Sequence, residues 1–144
     1  MNNPANIRFV KLADDGTERP IDANDHAIVH FPDHGLQITS RVISTKAMPQ
    51  RELEALAKAY TLGGHSDWDL LEDYEYNVVI DRRFRKPAVN PNLFLDIPSD
   101  WLWTKTALVG DPSCAWGVFL DLGLVGYGSR GVQGFGLAVR RVGQ

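Results

Sequence analysis

Residues 101–142 read WLWTKTALVGDPSCAWGVFLDLGLVGYGSRGVQGFGLAVRRV, and this stretch decides the fold class. It holds four short apolar runs, Trp101–Thr104, Ala115–Asp121, Leu124–Tyr127 and Phe135–Val142. Glycines 123, 126, 128, 131, 134 and 136 punctuate them, as turn formers do between strands. The C-terminal part of the chain therefore reads as β throughout.

Upstream lies Pro87–Pro98, which carries three prolines and two asparagines. Proline blocks both helix interiors and central strands, so this segment reads as an irregular loop. Before it the spacing changes to that of helices. Leu53, Leu56, Ala57 and Tyr60 recur at i, i+3, i+4 and i+7, one apolar stripe of a helix that Pro49 opens and Gly63-Gly64 ends. Leu70, Leu71, Tyr74, Val78 and Phe84 predict a second helix from Asp69 to about Phe84. Nearer the N-terminus, Leu36, Ile38, Ser40 and Val42 alternate with polar residues. With Ala27-Ile28-Val29 and the turn Pro32-Asp33-His34-Gly35 they read as a hairpin. Residues 1–24 form a polar lead-in with one strand at Ile7–Leu12, which pairs with the sheet or with a second subunit; residues 25–144 form the domain. Strands, two helices between 47 and 86, then strands again predict an α+β fold. Its twisted antiparallel sheet is expected mainly from residues 101–142.

Composition bounds the function. A chain of 144 residues with 44% apolar and 23% charged residues is of one ordinary domain's size and composition. Its net charge is 15 − 18 = −3, a poor basis for nucleic-acid binding, which needs clustered cations. One cysteine, Cys114, excludes an intramolecular disulfide framework and a cysteine-based zinc site. No leader pattern opens the sequence and no apolar run is long enough to span a membrane, so the cytoplasm is the expected compartment.

Each candidate motif has a plainer reading. His26, His30 and His34 are spaced by four, but Pro32 and the strand-like surroundings make them surface or turn histidines rather than ligands on a helix. Gly126-Tyr127-Gly128-Ser129-Arg130-Gly131 matches a dinucleotide fingerprint, yet no helix can open at its last glycine. Cys114 with His65 would make a nucleophile and base, but nothing in the sequence joins them. Acids 67–75 and bases 82–86 fit the dipole of the second helix. The four tryptophans read as core: Trp68, Trp103 and Trp116 buried, with Trp101 facing away from Trp103. No catalytic residue, metal or cofactor is expected.

Several motifs resemble one family in order and spacing. Gly63-Gly64-His65-Ser66-Asp67-Trp68-Asp69-Leu70-Leu71 resembles its glycine pair followed by Ser-Asp-Trp-Arg-Leu-Pro. Asn90-Pro91-Asn92-Leu93-Phe94 and Pro98–Thr106 resemble its Phe-Pro and Trp-Thr-Ser-Thr segment, and Ala115–Val118, Gly123–Val125 and Val139–Val142 resemble its closing strands. Asp69, Leu71 and Lys105 depart from it, standing where the family has Arg, Pro and Ser. The family is named for the C-terminal domain of the Legionella collagen-like adhesin, Lcl, and its architecture is similar to the C-type lectin fold. The resemblance implies a non-catalytic binding module, of a kind carried by phages and prophages, that binds and blocks a protein partner such as a host antiviral complex. Alternatives are an adhesin-like module for glycans or polyanions, and an enzyme of unrecognised type. A protein partner is expected, with a second copy of the chain as a further candidate; neither nucleic acid nor membrane is. Loops on a rigid sheet suit binding, which singles out Asp111, Tyr127, Arg130 and Gln133. The competing site is the charged helix face around Arg82, Arg83 and Arg85.

Overall fold

The computed structural model describes residues 7–143, so the first six residues of the lead-in and Gln144 lie outside the described residues. The elements run β1 (Val10–Leu12), β2 (Glu18–Arg19), β3 (Ile28–Phe31), β4 (Leu36–Thr39), α1 (Gln50–Lys58), β5 (Asp69–Leu70), a 3-10 helix (Asp73–Val78), β6 (Trp101–Leu108), β7 (Asp111–Phe119), β8 (Leu124–Ser129) and β9 (Ala138–Arg141). The chain is α+β, with two helices and antiparallel sheets, as its sequence predicts.

The sheet expected from residues 101–142 is two sheets. Strands β6, β7 and β8 form one of three strands; β9 leaves it and enters a six-stranded sheet of order β2-β1-β3-β4-β9-β5. The chain crosses between them at Gly134-Phe135. The Phe135 N–H donates to the Trp101 carbonyl (2.9 Å) and the Phe135 carbonyl accepts from the Trp103 N–H (2.8 Å). A Cβ on residue 134 would lie 2.7 Å from the Trp101 carbonyl oxygen, so only glycine passes there. In the six-stranded sheet the β3–β4 hairpin forms as its alternation predicts, and β1 pairs with β3 of its own chain.

Helix α1 buries Leu53 and Ala57, with Leu56 and Tyr60 half-buried at its margin. Pro49 caps it from outside in an extended conformation, and it ends at Lys58, before the glycine pair. The second long helix is absent. Asp69-Leu70 is a strand beside β9, and only Asp73–Val78 coil, as a 3-10 helix held by a reciprocal cap between Glu72 and Glu75. Of the acids that suggested a helix dipole, Asp67, Asp69 and Glu75 are bound to bases, while Glu72 and Asp73 accept from the Thr106 hydroxyl. Asp69 pairs with Lys105 (2.7 Å) and Arg141 (3.2 Å), and Glu75, 2% exposed, takes two bonds from Arg141. Asp81, also buried, accepts the Arg83 N–H and guanidinium and turns the chain. The segment 87–98 is irregular, and it drops Leu93, Phe94, Leu95 and Ile97 into the core.

Two seams join the sheets. One is the charged group just named, which ties β5 and β9 to β6. The other is aromatic. Trp103 is fully buried against Ile28, Leu53, Leu70 and Ala138, and its Nε1–H donates to the Val132 carbonyl (2.8 Å). Trp101 shares its face, with ring centroids 5.3 Å apart at 88°, correcting the expectation that the two face apart: residues two positions apart on a strand point to the same side. The Trp101 ring lies where a Cβ on Gly117 would be, 2.3 Å away. Trp68 is buried as expected, whereas Trp116 is not; it stands half-exposed on the opposite face of β7 from Ala115 and Gly117.

Candidate functional site

The three-stranded sheet carries the candidate surface, and it treats the expected contact residues differently. Tyr127 is 61% exposed on β8, edge-on to Trp116 with ring centroids 5.6 Å apart. Gln133 is exposed in the loop after β8. Asp111 is exposed but turned to its own loop: its carboxylate accepts from the Ser113 N–H (3.1 Å) and Oγ, and from Cys114 Sγ (3.5 Å). Those hydrogen bonds, Ser113's first, hold it below the usual carboxylate range. Arg130 is a clamp. Its side chain is 12% exposed, donates to the Pro112 carbonyl (2.9 Å) and to Gln50 Oε1, and stands 4.0 Å from Glu54, fixing α1 to the end of the hairpin.

Around Tyr127 lies a group that the sequence reading did not single out. Phe119, Leu122, Leu124, Val125 and Val132 are all exposed. Strand register sorts the strand residues: Val125 and Tyr127 share a face with Trp116, while Leu124 and Phe119 point to the other. The signal was available, since Leu124–Ser129 contains no charged residue and its alternation puts Val125 and Tyr127 on one side. Single apolar residues at a surface are ordinary; Val125 and Tyr127 beside Trp116 are adjacent on one face.

The competing residues are not on a helix face, because no helix exists there. Arg82 donates to the Gly123 carbonyl and Arg83 to Asp81, while Arg85 is exposed with no hydrogen bond or ion pair among the described residues. Cys114 sits in the Asp111 turn, and His65 in a turn closed by pairing with Leu62, in an open groove beside Asp14 and Ser66. Of the three histidines, His26 is not at the surface. It is fully buried, with Nε2 2.7 Å from the Leu93 carbonyl oxygen, and burial pushes its pKa down. Among the described residues no group of three or more His, Cys, Asp or Glu is placed to hold a metal ion, and no helix is long and apolar enough to cross a membrane. A cleft of about 260 Å³ between β4, the 3-10 helix and β9 is lined by His34, Tyr74, Glu75 and Arg141, but the guanidinium there is already held by Glu75 and Asp69.

The model of the Lcl C-terminal domain family matches residues 24–142. The chain belongs to that family. In this Lcl C-terminal domain the matched span takes in β3 to β9 and both seams, and leaves β1 and β2 outside. No curated protein and no solved structure matches the chain.

Proposed function

We propose that this Lcl C-terminal domain is a non-catalytic binding module with a C-type lectin-like architecture, and that it takes a protein partner on the outer β7–β8 surface. The observation that carries the reading is the exposed pair Val125 and Tyr127 beside half-exposed Trp116 on one face of the β7–β8 hairpin. An aromatic ring with a hydrogen-bonding tip, on a scaffold that needs no ordering, is the composition of an interface hot spot. The family resemblance supports a phage- or prophage-type accessory role in the cytoplasm, with a host protein, such as part of an antiviral complex, as the partner that is bound and blocked.

The test is capture from a bacterial lysate by the immobilised chain. Tyr127→Ala combined with Val125→Ser should abolish capture of a discrete protein while circular dichroism stays as in the parent. Capture that survives this pair and disappears when Arg82, Arg83 and Arg85 are changed to Glu would move the site to the basic turn. Arg130 is left intact, because its loss would loosen α1 and confuse stability with contact.

A further inference from the structure

Four strands form the sheet edges, and three of the four edges are closed. In the six-stranded sheet, β2 and β5 are two residues long and charged, with Arg19 bound to Asp25 and Asp69 bound to Lys105 and Arg141. Short charged strands are the usual protection against edge-to-edge pairing. In the three-stranded sheet, the outward groups of β6 are engaged: the Trp101 carbonyl and Trp103 N–H by Phe135, the Trp103 carbonyl by the Tyr76 hydroxyl (3.3 Å), and the Lys105 N–H by the Leu71 carbonyl (2.7 Å).

Strand β8 is the fourth edge, and it is open. The Arg130 N–H donates to the Ser113 carbonyl, which makes Ser113 and Arg130 a bonded pair. Bonded and non-bonded pairs alternate along an antiparallel ladder. From the register, Gly128, Gly126 and Leu124 then bond to β7, while the N–H and C=O of Val125, Tyr127 and Ser129 point away from it. The Ser129 carbonyl accepts from the Val132 N–H (3.0 Å). No backbone partner meets Val125 or Tyr127 on that side among the described residues. The strand is six residues long with no charge and no proline.

We infer that β8 pairs with β8 of a second copy, antiparallel about a two-fold axis at Gly126, to make one continuous six-stranded sheet across the dimer. The inference uses the same surface as the function proposed above and names one occupant of it. This register sets the free groups of Val125 against those of Tyr127 in the copy, four hydrogen bonds in all, and needs nothing from Ser129. An axis at Tyr127 would instead draw on the engaged Ser129 carbonyl. Side chains agree: Val125 meets Tyr127 of the copy on the Trp116 face, and Leu124 lies opposite Gly128 of the copy on the other. With no charged residue from 124 to 129, a copy meets no like charge, and an isologous two-fold contact closes without growing further.

The experiment is light scattering after size exclusion, with cysteine cross-linking to read the register. The parent chain should run as a dimer. Val125→Pro removes only an outward N–H, and Tyr127→Lys places a charge at the edge; both should run as monomers. In a Cys114→Ser background, Gly126→Cys should cross-link to its copy under mild oxidation, since the cross-strand pair at the axis brings the two residues face to face and a Cβ there meets only ordinary contact with Trp101 at 3.9 Å. Val125→Cys in the same background should not. A monomeric parent at its highest soluble concentration, or a dimer indifferent to both edge variants, overturns the inference. If Val125→Pro does not fold, the cysteine pair decides alone. A monomer that still captures a lysate protein through Tyr127 sinks the dimer and leaves the proposed function standing. A dimer whose capture ignores Tyr127 and Val125 does the reverse.

Discussion

The aromatic and charged seams both join the same two sheets, yet they hold them by different physics. At the first, Trp101 and Trp103 settle onto Gly117 and Gly134, so close approach and apolar burial supply the attraction. At the second, Asp69, Glu75, Lys105 and Arg141 are partly or fully out of water, and their mutual attraction must first offset lost hydration. The difference teaches where each fails. The aromatic seam is sensitive to volume and indifferent to acid, whereas the charged seam is sensitive to the loss of one partner and to protonation.

Trp103→Ala should break the comparison hardest. It removes a fully buried ring and leaves the Val132 carbonyl without its donor, so a loss of about 3–5 kcal/mol is expected in denaturant unfolding. Arg141→Met should cost about 3 kcal/mol, the low end for removing one partner of a buried pair because the Arg141 side chain is itself 30% exposed, and buried Glu75 is left without its guanidinium. Adding Glu75→Gln to that variant should recover part of the loss, since the uncompensated charge goes with it. A double variant no better than Arg141→Met would mean that the seam acts by packing. Trp116→Ala, on the outer face, should cost about 1–2 kcal/mol, in keeping with its partial exposure.

The smallest effect sharpens the pH side. Burial lowers the pKa of His26, helped by Lys11 and Arg41 and opposed by the Leu93 carbonyl and Asp25; burial and Arg140 lower that of His30. The unfolded chain therefore binds these protons more readily. Stability should be complete above the ordinary histidine value of 6.5 and decline as pH falls below it. At Asp69, burial alone would raise the pKa, but the hydrogen bond and charge of Lys105 with the Arg141 contact outweigh it. At Asp81 the Arg83 bond lowers it. Their share of stability is present above the ordinary value of 3.8 and is lost at lower pH. Urea unfolding across pH 4.5–7.5 should thus slope for the parent and flatten for His26→Gln with His30→Gln. An unchanged slope would assign the pH dependence to other groups.

Local pattern made part of this legible. The α1 stripe, the β3–β4 alternation and the proline-rich loop each state their conformation within a dozen residues. The position of β9 does not, because Gln37 pairs with Arg140 across the whole domain and nothing near either names the other. Asp69–Phe84 has helical spacing of apolar residues, but the bases that Asp69 and Glu75 meet, Lys105 and Arg141, lie far along the chain and pull the segment into strand and 3-10 turn. The shared face of Trp101 and Trp103 follows from period-two strand geometry alone. At the candidate surface, Tyr127 lies on strand β8 and not on the loop its flanking glycines suggest, and the clamp at Arg130 has no local signal, since its partner Gln50 lies eighty residues away. The open edge of β8 follows from a ladder whose phase only the Ser113–Arg130 bond sets.

The interior place of β9, between β4 and β5, bears on synthesis. Of the described strands it leaves the ribosome last, yet β4 has no neighbour on that side until it arrives. A nascent chain halted at residue 137 would display Leu36–Thr39 as an unpaired edge. The N-terminal hairpin must therefore wait, exposed, for nearly all the rest of the described chain to be translated. Pairing at such sequence separation is slow to close, so the β4–β9 ladder should form late in the folding of this domain.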